Sequence, residues 1–129
     1  FHELPPKDRP TPSDLVFLST HEPCSMCLSA ITWAGFDNFF YFFSHTDSRD
    51  SFSIPHDLNI LSEVFDVDPG GYRSKNAYWQ CWSIRHALTK VGAAEQLVLA
   101  QQAERIDALY AELSEIYQRS KSGSSIPLS

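Results

Sequence analysis

Two short apolar runs, separated by a segment with helix signals, dominate the first third of the chain. Leu15 to Ser19 and Phe39 to Phe43 are rich in aromatic and branched residues and lack polar alternation. This pattern is typical of strands buried on both faces of a parallel sheet. Between them, Pro23 suits the first turn of a helix and Gly35 suits the left-handed position that ends one. The pattern therefore predicts a right-handed β-α-β crossover.

Two further segments have the apolar spacing of helices. Residues 55–65 predict a short amphipathic helix. One face of it carries Leu58, Leu61 and Phe65, together with Ile54 just before the helix. Residues 93–119 predict a long helix, because apolar residues recur at four-three spacing over about three heptads. This helix either packs as a layer on the sheet or pairs with another copy. Its apolar stripe consists of Leu99, Ala103, Ile106, Tyr110, Leu113 and Tyr117.

The remaining segments are less regular. Four prolines between Leu4 and Asp14 predict a surface connection, and the polar stretch Ser44 to Ser53 predicts a loop. Residues 76–84 fit either a third strand or a helix. We expect residues 72–91 to form a substrate-side loop, or a short strand followed by a helix. The serine-rich segment 121–129 predicts a disordered tail.

Cys24 and Cys27 open the predicted crossover helix, three residues apart on one face. They follow the first strand, at the edge where open α/β sheets place ligands, and the helix dipole favours thiolate there. Thiolates bind zinc, but zinc requires four ligands in a structural site, or three and a water molecule in a catalytic one. The same spacing also occurs in thioredoxin-like redox pairs. His21 becomes an additional ligand only if the strand end turns it inward.

Composition narrows the function classes. A chain of 129 residues suits one domain, and a net charge of −6 argues against a surface that coats nucleic acid and favours a small-molecule substrate. Three cysteines, two of them in a metal-type spacing, indicate a reducing compartment, and no apolar run approaches the length of a membrane span. We therefore expect a cytoplasmic protein. Cys81 has no ligand-type neighbour and is expected to be a buried thiol.

The segment Glu22-Pro23-Cys24-Ser25-Met26-Cys27, with Leu28-Ser29-Ala30-Ile31 after it, resembles half of a known zinc signature. It is similar to the Glu-Pro-Cys-x-x-Cys part of the cytidine-deaminase-like superfamily, in the branch of guanine deaminases and tRNA-adenosine deaminases. His45-Thr46-Asp47 and Asp50-Ser51-Phe52 are similar to guanine deaminase in particular. The resemblance implies an α/β, three-layer α/β/α fold. Only two or three of the family's five strands, the central crossover and the C-terminal helices would lie in this chain.

The resemblance also implies a reaction and roles for particular residues. The intact protein would be a zinc-dependent hydrolytic deaminase of a nucleobase or nucleoside, with Cys24 and Cys27 as Zn²⁺ ligands. Glu22 would have a positional role beside the metal and substrate. Asp50 would accept hydrogen bonds from a purine, and Trp79 would stack on the base. From the residues alone, a solvated loop aspartate remains an alternative for Asp50, and aromatic clusters such as that of Trp79 more often belong to a core or an interface.

The other half of the signature, His-x-Glu or Cys-x-Glu, lies about thirty residues upstream in the family and supplies a third ligand and a proton-transferring glutamate. Here His2-Glu3 lacks the intervening residue and lies too close to Cys24. We interpret Phe1 to Leu4 as the tail of the helix that carries this motif, and residues 1–120 as the carboxyl-terminal part of an incomplete deaminase domain. Alone, it would be inactive unless the missing half complements it. The partners that we expect are a nucleobase or nucleoside and either a second copy in a homodimer or the missing N-terminal segment. The alternative is a non-catalytic deaminase-fold scaffold or interaction protein.

Overall fold

A computed structural model, which describes residues 5–68, 70–121 and 123, shows a three-stranded parallel sheet with helices around it. The strands are β1 (Leu18–His21), β2 (Asn38–Phe43) and β3 (Gln80–Ser83), and they lie side by side in that order. Both pairs are parallel, with Leu18 opposite Phe40 and Phe40 opposite Trp82. The prediction of a partial parallel α/β sheet is confirmed at this level.

Five α-helices complete the described part of the chain. They are α1 (Ser25–Ala34), α2 (His45–Phe52), α3 (His56–Phe65), α4 (Ile84–Leu88) and α5 (Ala93–Lys121). The crossover helix, the short helix α3 and the long terminal helix are confirmed. In residues 72–91, where the alternatives were open, the structure has the strand β3 followed by the helix α4. The proline-rich segment forms two single 3-10 turns, Pro6–Asp8 and Pro12–Asp14. None of these helices combines the length and the hydropathy that crossing a membrane requires.

The buried side chains form two apolar clusters. In the first, Phe39 and Cys81 of the sheet pack with Ile31 of α1 and with Trp79. In the second, aromatic side chains pack under α5. Burial of these side chains is the main driving force that holds the helices on the sheet. The second cluster contains Phe42, Phe43 and Phe52, with Ala103 and Tyr110 of α5 against it.

The first strand starts later than predicted and is less buried. It begins at Leu18 rather than Leu15, because the Asn38 side chain donates to Leu15 O at 2.7 Å and accepts from Phe17 N at 3.2 Å. These bonds from a side chain satisfy Leu15 O and Phe17 N, while Phe17 O still accepts the Phe40 N–H at 2.8 Å. Since β1 is an edge strand of the described sheet, Leu18 is 69% exposed. The prediction that this run is buried on both faces was wrong.

The segment predicted as a polar loop after β2 is helix α2. Ser44 caps it reciprocally with Asp47: the Asp47 N–H donates to Ser44 Oγ at 3.0 Å, and the Ser44 N–H donates to the Asp47 carboxylate at 2.8 Å. Such a capping box stabilises a helix start even where the sequence is polar. Its inward side is formed by His45, Ser48 and Phe52, which are buried.

Helix α3 differs from its prediction at one end. Leu58 and Leu61 are buried as expected, whereas Phe65 is 55% exposed. Asp66 follows with positive φ and ends the helix, so Phe65 lies where the chain turns away. The predicted helix tail at Phe1 to Leu4 falls outside the described residues, as does most of the predicted tail 121–129. Of that tail, Lys121 is the last residue of α5.

Candidate metal centre

The two cysteines lie together at the start of α1. Cys24 is the N-cap residue, with extended φ −65° and ψ 170°, and its sulfur accepts the backbone N–H of Cys27 at 3.5 Å. The helix therefore begins at Ser25, and Pro23 precedes the cap instead of occupying the first turn. The two sulfur atoms are 3.4 Å apart. Gly35, with φ 82°, ends the helix in the left-handed conformation as predicted.

Cys27 holds its proton more strongly than an ordinary cysteine. The hydrogen bond with Cys24 raises the pKa of Cys27, and burial and the charge on Cys24 add to this effect. Cys27 is therefore a thiol at neutral pH while the site holds no positive charge, and not the thiolate that the helix dipole was predicted to favour. A dication removes this restraint, because it attracts both thiolates.

The spacing of the thiols fits a tetrahedral metal. Zinc–sulfur bonds of about 2.3 Å at a tetrahedral angle place two sulfur ligands about 3.8 Å apart. Because the observed separation is 3.4 Å, a small rotation of either side chain reaches that value. Cys27 is exposed and Cys24 is partly so, which leaves the pair accessible to an ion. Among the residues that the structure describes, however, no group of three or more His, Cys, Asp or Glu side chains can hold a metal. The described residues thus bring together two thiols of the type that binds zinc, fewer than a zinc site needs.

Glu22 connects the carboxyl ends of β1 and β2. Its carboxylate accepts the His45 backbone N–H at 2.8 Å, and its carbonyl oxygen lies 3.1 Å from His45 Nε2. Glu22 follows β1 and His45 follows β2, so this bridge fixes the carboxyl edge of the sheet two residues before Cys24. The position predicted for Glu22 is consistent with an orienting role. The buried partner His45 was not singled out as a site residue, although its place directly after the second strand was a usable signal.

Three protonated groups surround the Glu22 carboxylate. Burial and the Glu22 charge raise the pKa of Tyr41 to about 12 and that of Cys81 to about 11, and they raise the pKa of Tyr72 further. The Tyr72 hydroxyl is buried and makes no hydrogen bond of ordinary geometry among the described residues. At neutral pH these groups are donors rather than nucleophiles. Cys81 is a buried thiol, as predicted.

Asp50 lies on the exposed side of α2 rather than in a loop. Both of its carboxylate oxygens accept hydrogen bonds from Arg49, at 2.6 Å and 3.0 Å. The Arg49 guanidinium lowers the pKa of Asp50. Asp50 does not join Cys24 and Cys27 in a group of metal-binding type in the described chain. To contact a substrate, it would have to exchange its arginine partner.

Trp79 lies in the core, not on the surface of a substrate pocket. Its ring packs against Phe39 at 4.9 Å between centroids, and its indole N–H donates to Thr32 Oγ1 at 2.9 Å. Since the side chain is buried, stacking on a base would require it to leave this packing. Of the neighbouring aromatics, Tyr78 is exposed and Trp82 stacks on Phe40.

His21 faces the aromatic cluster and not the cysteines. Its ring lies 5.0 Å from that of Phe43 and 5.3 Å from that of Tyr110. Burial lowers the pKa of His21, and the charges of Asp57 and Asp47 only partly oppose this. The histidine is therefore a packed side chain rather than a substitute ligand in this arrangement.

We expect this packing to make stability depend on pH. The unfolded chain takes up a proton at His21 near the ordinary pKa of 6.5, whereas the folded chain resists it. Stability should therefore fall as pH decreases from about 6.5 toward the lowered value, and stay level above 6.5. Melting temperatures of His21→Phe across this range should show a weaker fall. A matched His86→Phe variant at an exposed position should keep the wild-type slope, and equal slopes in all three proteins would contradict the explanation.

Comparison with protein-family models, curated proteins and solved structures finds no match to this chain. The candidate site therefore stands on its own geometry: two adjacent thiols at a helix N-terminus and a buried Glu22–His45 bridge at the carboxyl edge of a parallel sheet.

Proposed function

We propose that this chain carries the cysteine half of a zinc-dependent hydrolytic deaminase acting on a nucleobase or nucleoside, with guanine the first candidate substrate. The observation that carries the proposal is the pair of sulfur atoms 3.4 Å apart at the N-terminus of α1. The pair directly follows Glu22 and Pro23, at the carboxyl edge of the sheet. A third ligand and the proton-transferring carboxylate would come from a separate segment of polypeptide, as the resemblance implies.

Each part of the candidate site has a defined task in this proposal. Cys24 and Cys27 hold the metal as thiolates, and the cap geometry positions both sulfur atoms before the metal arrives. Zinc would supply a bound water molecule whose pKa is lowered toward about 7. Glu22 orients the segment between β1 and α1 through its bonds to His45, and it therefore acts as a positioning residue.

The test combines metal analysis with an activity screen. Purified chain reconstituted with zinc should retain the metal weakly and release no ammonia from guanine, cytosine or adenosine. A longer polypeptide that adds a His-x-Glu or Cys-x-Glu helix, in one chain or as a second component, should release ammonia from one of them. Robust ammonia release by the 129-residue chain alone would contradict the division of the site. Zinc binding without ammonia release in any combination would favour the non-catalytic scaffold.

The short sulfur–sulfur distance also favours a second candidate, a thiol–disulfide couple. Cys24 and Cys27 would lose two protons and two electrons to form a disulfide while an external small-molecule disulfide is reduced to two thiols. Equilibration with glutathione buffers, followed by mass measurement, distinguishes this function from metal binding. An oxidised fraction that is unaffected by added zinc would support the redox couple against the deaminase site.

A further inference from the structure

The long helix α5 presents an apolar stripe that its own sheet does not cover. The side chains that are partly buried recur along one face at Leu99, Ala103, Asp107, Tyr110, Ser114 and Gln118, and α5 contains no buried residue. A second stripe, here named the α5 seam, lies beside this face. It consists of Leu99, Gln102, Ile106, Leu109, Leu113 and Ile116.

The α5 seam has the spacing of a coiled coil. Its residues alternate at three and four positions, so that Leu99, Ile106 and Leu113 take the a positions of a heptad and the other three take the d positions. Ile106, Leu109, Leu113 and Ile116 are between 37% and 54% exposed. Of the other two, Leu99 is partly buried and Gln102 is polar. Four consecutive exposed apolar a and d positions indicate a helical partner.

The chain also has an open groove beneath the α5 seam. A groove of about 340 Å³ separates β1 from α5, and its lining is mostly apolar. Leu18 and Thr20 line one wall, and Leu99 and Ile106 of the seam line the other. Since Leu18 is an exposed residue of the edge strand, the apolar surface continues from the seam to the sheet edge.

We propose that a second copy of this chain covers the α5 seam, with the two α5 helices antiparallel. The charged residues beside the seam favour a second copy of the chain as the partner, and they favour one alignment of the two helices. The g positions hold Arg105, Glu112 and Arg119, while the e positions hold Ala103, Tyr110 and Tyr117, with Ala103 and Tyr110 against the chain's own core. Antiparallel helices bring g positions opposite each other, whereas parallel helices bring g opposite e. Only the antiparallel pairing places opposite charges together.

One register satisfies both the charges and the apolar layers. Arg105 faces the partner's Glu112 twice across the two-fold axis, and Ile106 packs on the partner's Leu109. A shift of one heptad in either direction places Glu112 against the partner's Glu112, or Arg105 against the partner's Arg105. Such like-charge contacts disfavour the shifted registers. No ion pair within the described part of the chain competes for Arg105 or Glu112.

A charge-exchange experiment tests this dimer independently of the proposed catalytic function. Sedimentation equilibrium of the 129-residue chain at low ionic strength should show a dimer. Arg105→Glu and Glu112→Arg should each raise its dissociation constant by at least about tenfold, since two attractive contacts become repulsive. The double variant should restore the wild-type constant. Glu104→Arg makes the same charge change as Glu112→Arg on an exposed position away from the seam, and should have no effect.

Other outcomes overturn the proposal. A wild-type chain that stays monomeric at all accessible concentrations has no such interface. A dimer that tolerates both single reversals, or that the double variant does not restore, is formed by another surface or register. Leu109→Asp provides a second check: it should abolish the dimer while circular dichroism shows the helical content of the folded monomer, because Leu109 is exposed within one chain.

Discussion

Replacing Phe39 by alanine is expected to remove about 3–5 kcal/mol from the free energy of unfolding, a large part of the about 5–15 kcal/mol that stabilises a domain. Phe39 is 0% exposed and lies on the central strand, where it contacts the Trp79 ring. Truncation therefore leaves a cavity between the sheet and α1 that the surrounding strands cannot close. Urea unfolding followed by circular dichroism should show the transition moving by more than about 1 M.

Trp33→Ala is the matched control for this prediction. It also truncates a large aromatic side chain, but Trp33 is 91% exposed on the outer side of α1. We expect the free energy of unfolding to change by no more than about 0.5 kcal/mol. Equal losses in the two variants would show that Phe39 does not organise the core, or that Trp33 is covered by a partner under the conditions used.

Replacing either cysteine of the pair by serine is expected to weaken metal binding by about two orders of magnitude. Structural zinc sites with four ligands bind with about 10–16 kcal/mol, so one thiolate accounts for roughly a quarter of that value. Titration with Co²⁺ in the absence of oxygen should give a sulfur-to-cobalt absorption band in the wild-type chain. The band should be lost or strongly reduced in Cys24→Ser and in Cys27→Ser.

Cys81→Ser is the control for the metal titration. Cys81 is buried, and its pKa of about 11 keeps it a thiol at neutral pH. Its replacement should leave the cobalt band unchanged, even if the protein loses some stability. A band that depends on Cys81 as much as on Cys24 would contradict the assignment of the metal to the start of α1.

The central crossover was predictable because its signals are local. Gly35 marks the end of α1 by its own backbone preference, and the aromatic run of β2 needs no partner to be read as a strand. The start of β1 was not predictable in this way. It depends on the Asn38 side chain, which forms hydrogen bonds with the backbone of Leu15 and Phe17, more than twenty positions away in the sequence.

The orientation of the site residues is determined by contacts with distant parts of the chain, which the spacing of residues along the sequence does not reveal. The position of Trp79 just before β3 does not determine whether its side chain is buried. The side chain is buried because α1 packs against it, with Thr32 of α1 accepting the indole N–H. The polarity of residues 44–53 predicts a loop, whereas the Ser44–Asp47 capping box starts a helix there and Asp50 lies on its exposed side. In α5 the four-three spacing predicted the helix correctly, but only the position of the sheet decides which apolar residues face inward.

The uncharged edge strand has a consequence for handling the chain. β1 contains no lysine, glutamate or proline that would discourage a further strand from adding to it. Among the described residues no further strand pairs with the outer side of β1, so an extended peptide of suitable shape can add to the sheet there. Replacing Leu18 by lysine would oppose this strand addition, because a charged side chain on an edge strand disfavours pairing with another chain. Many natural sheets use lysine on their edge strands in this way.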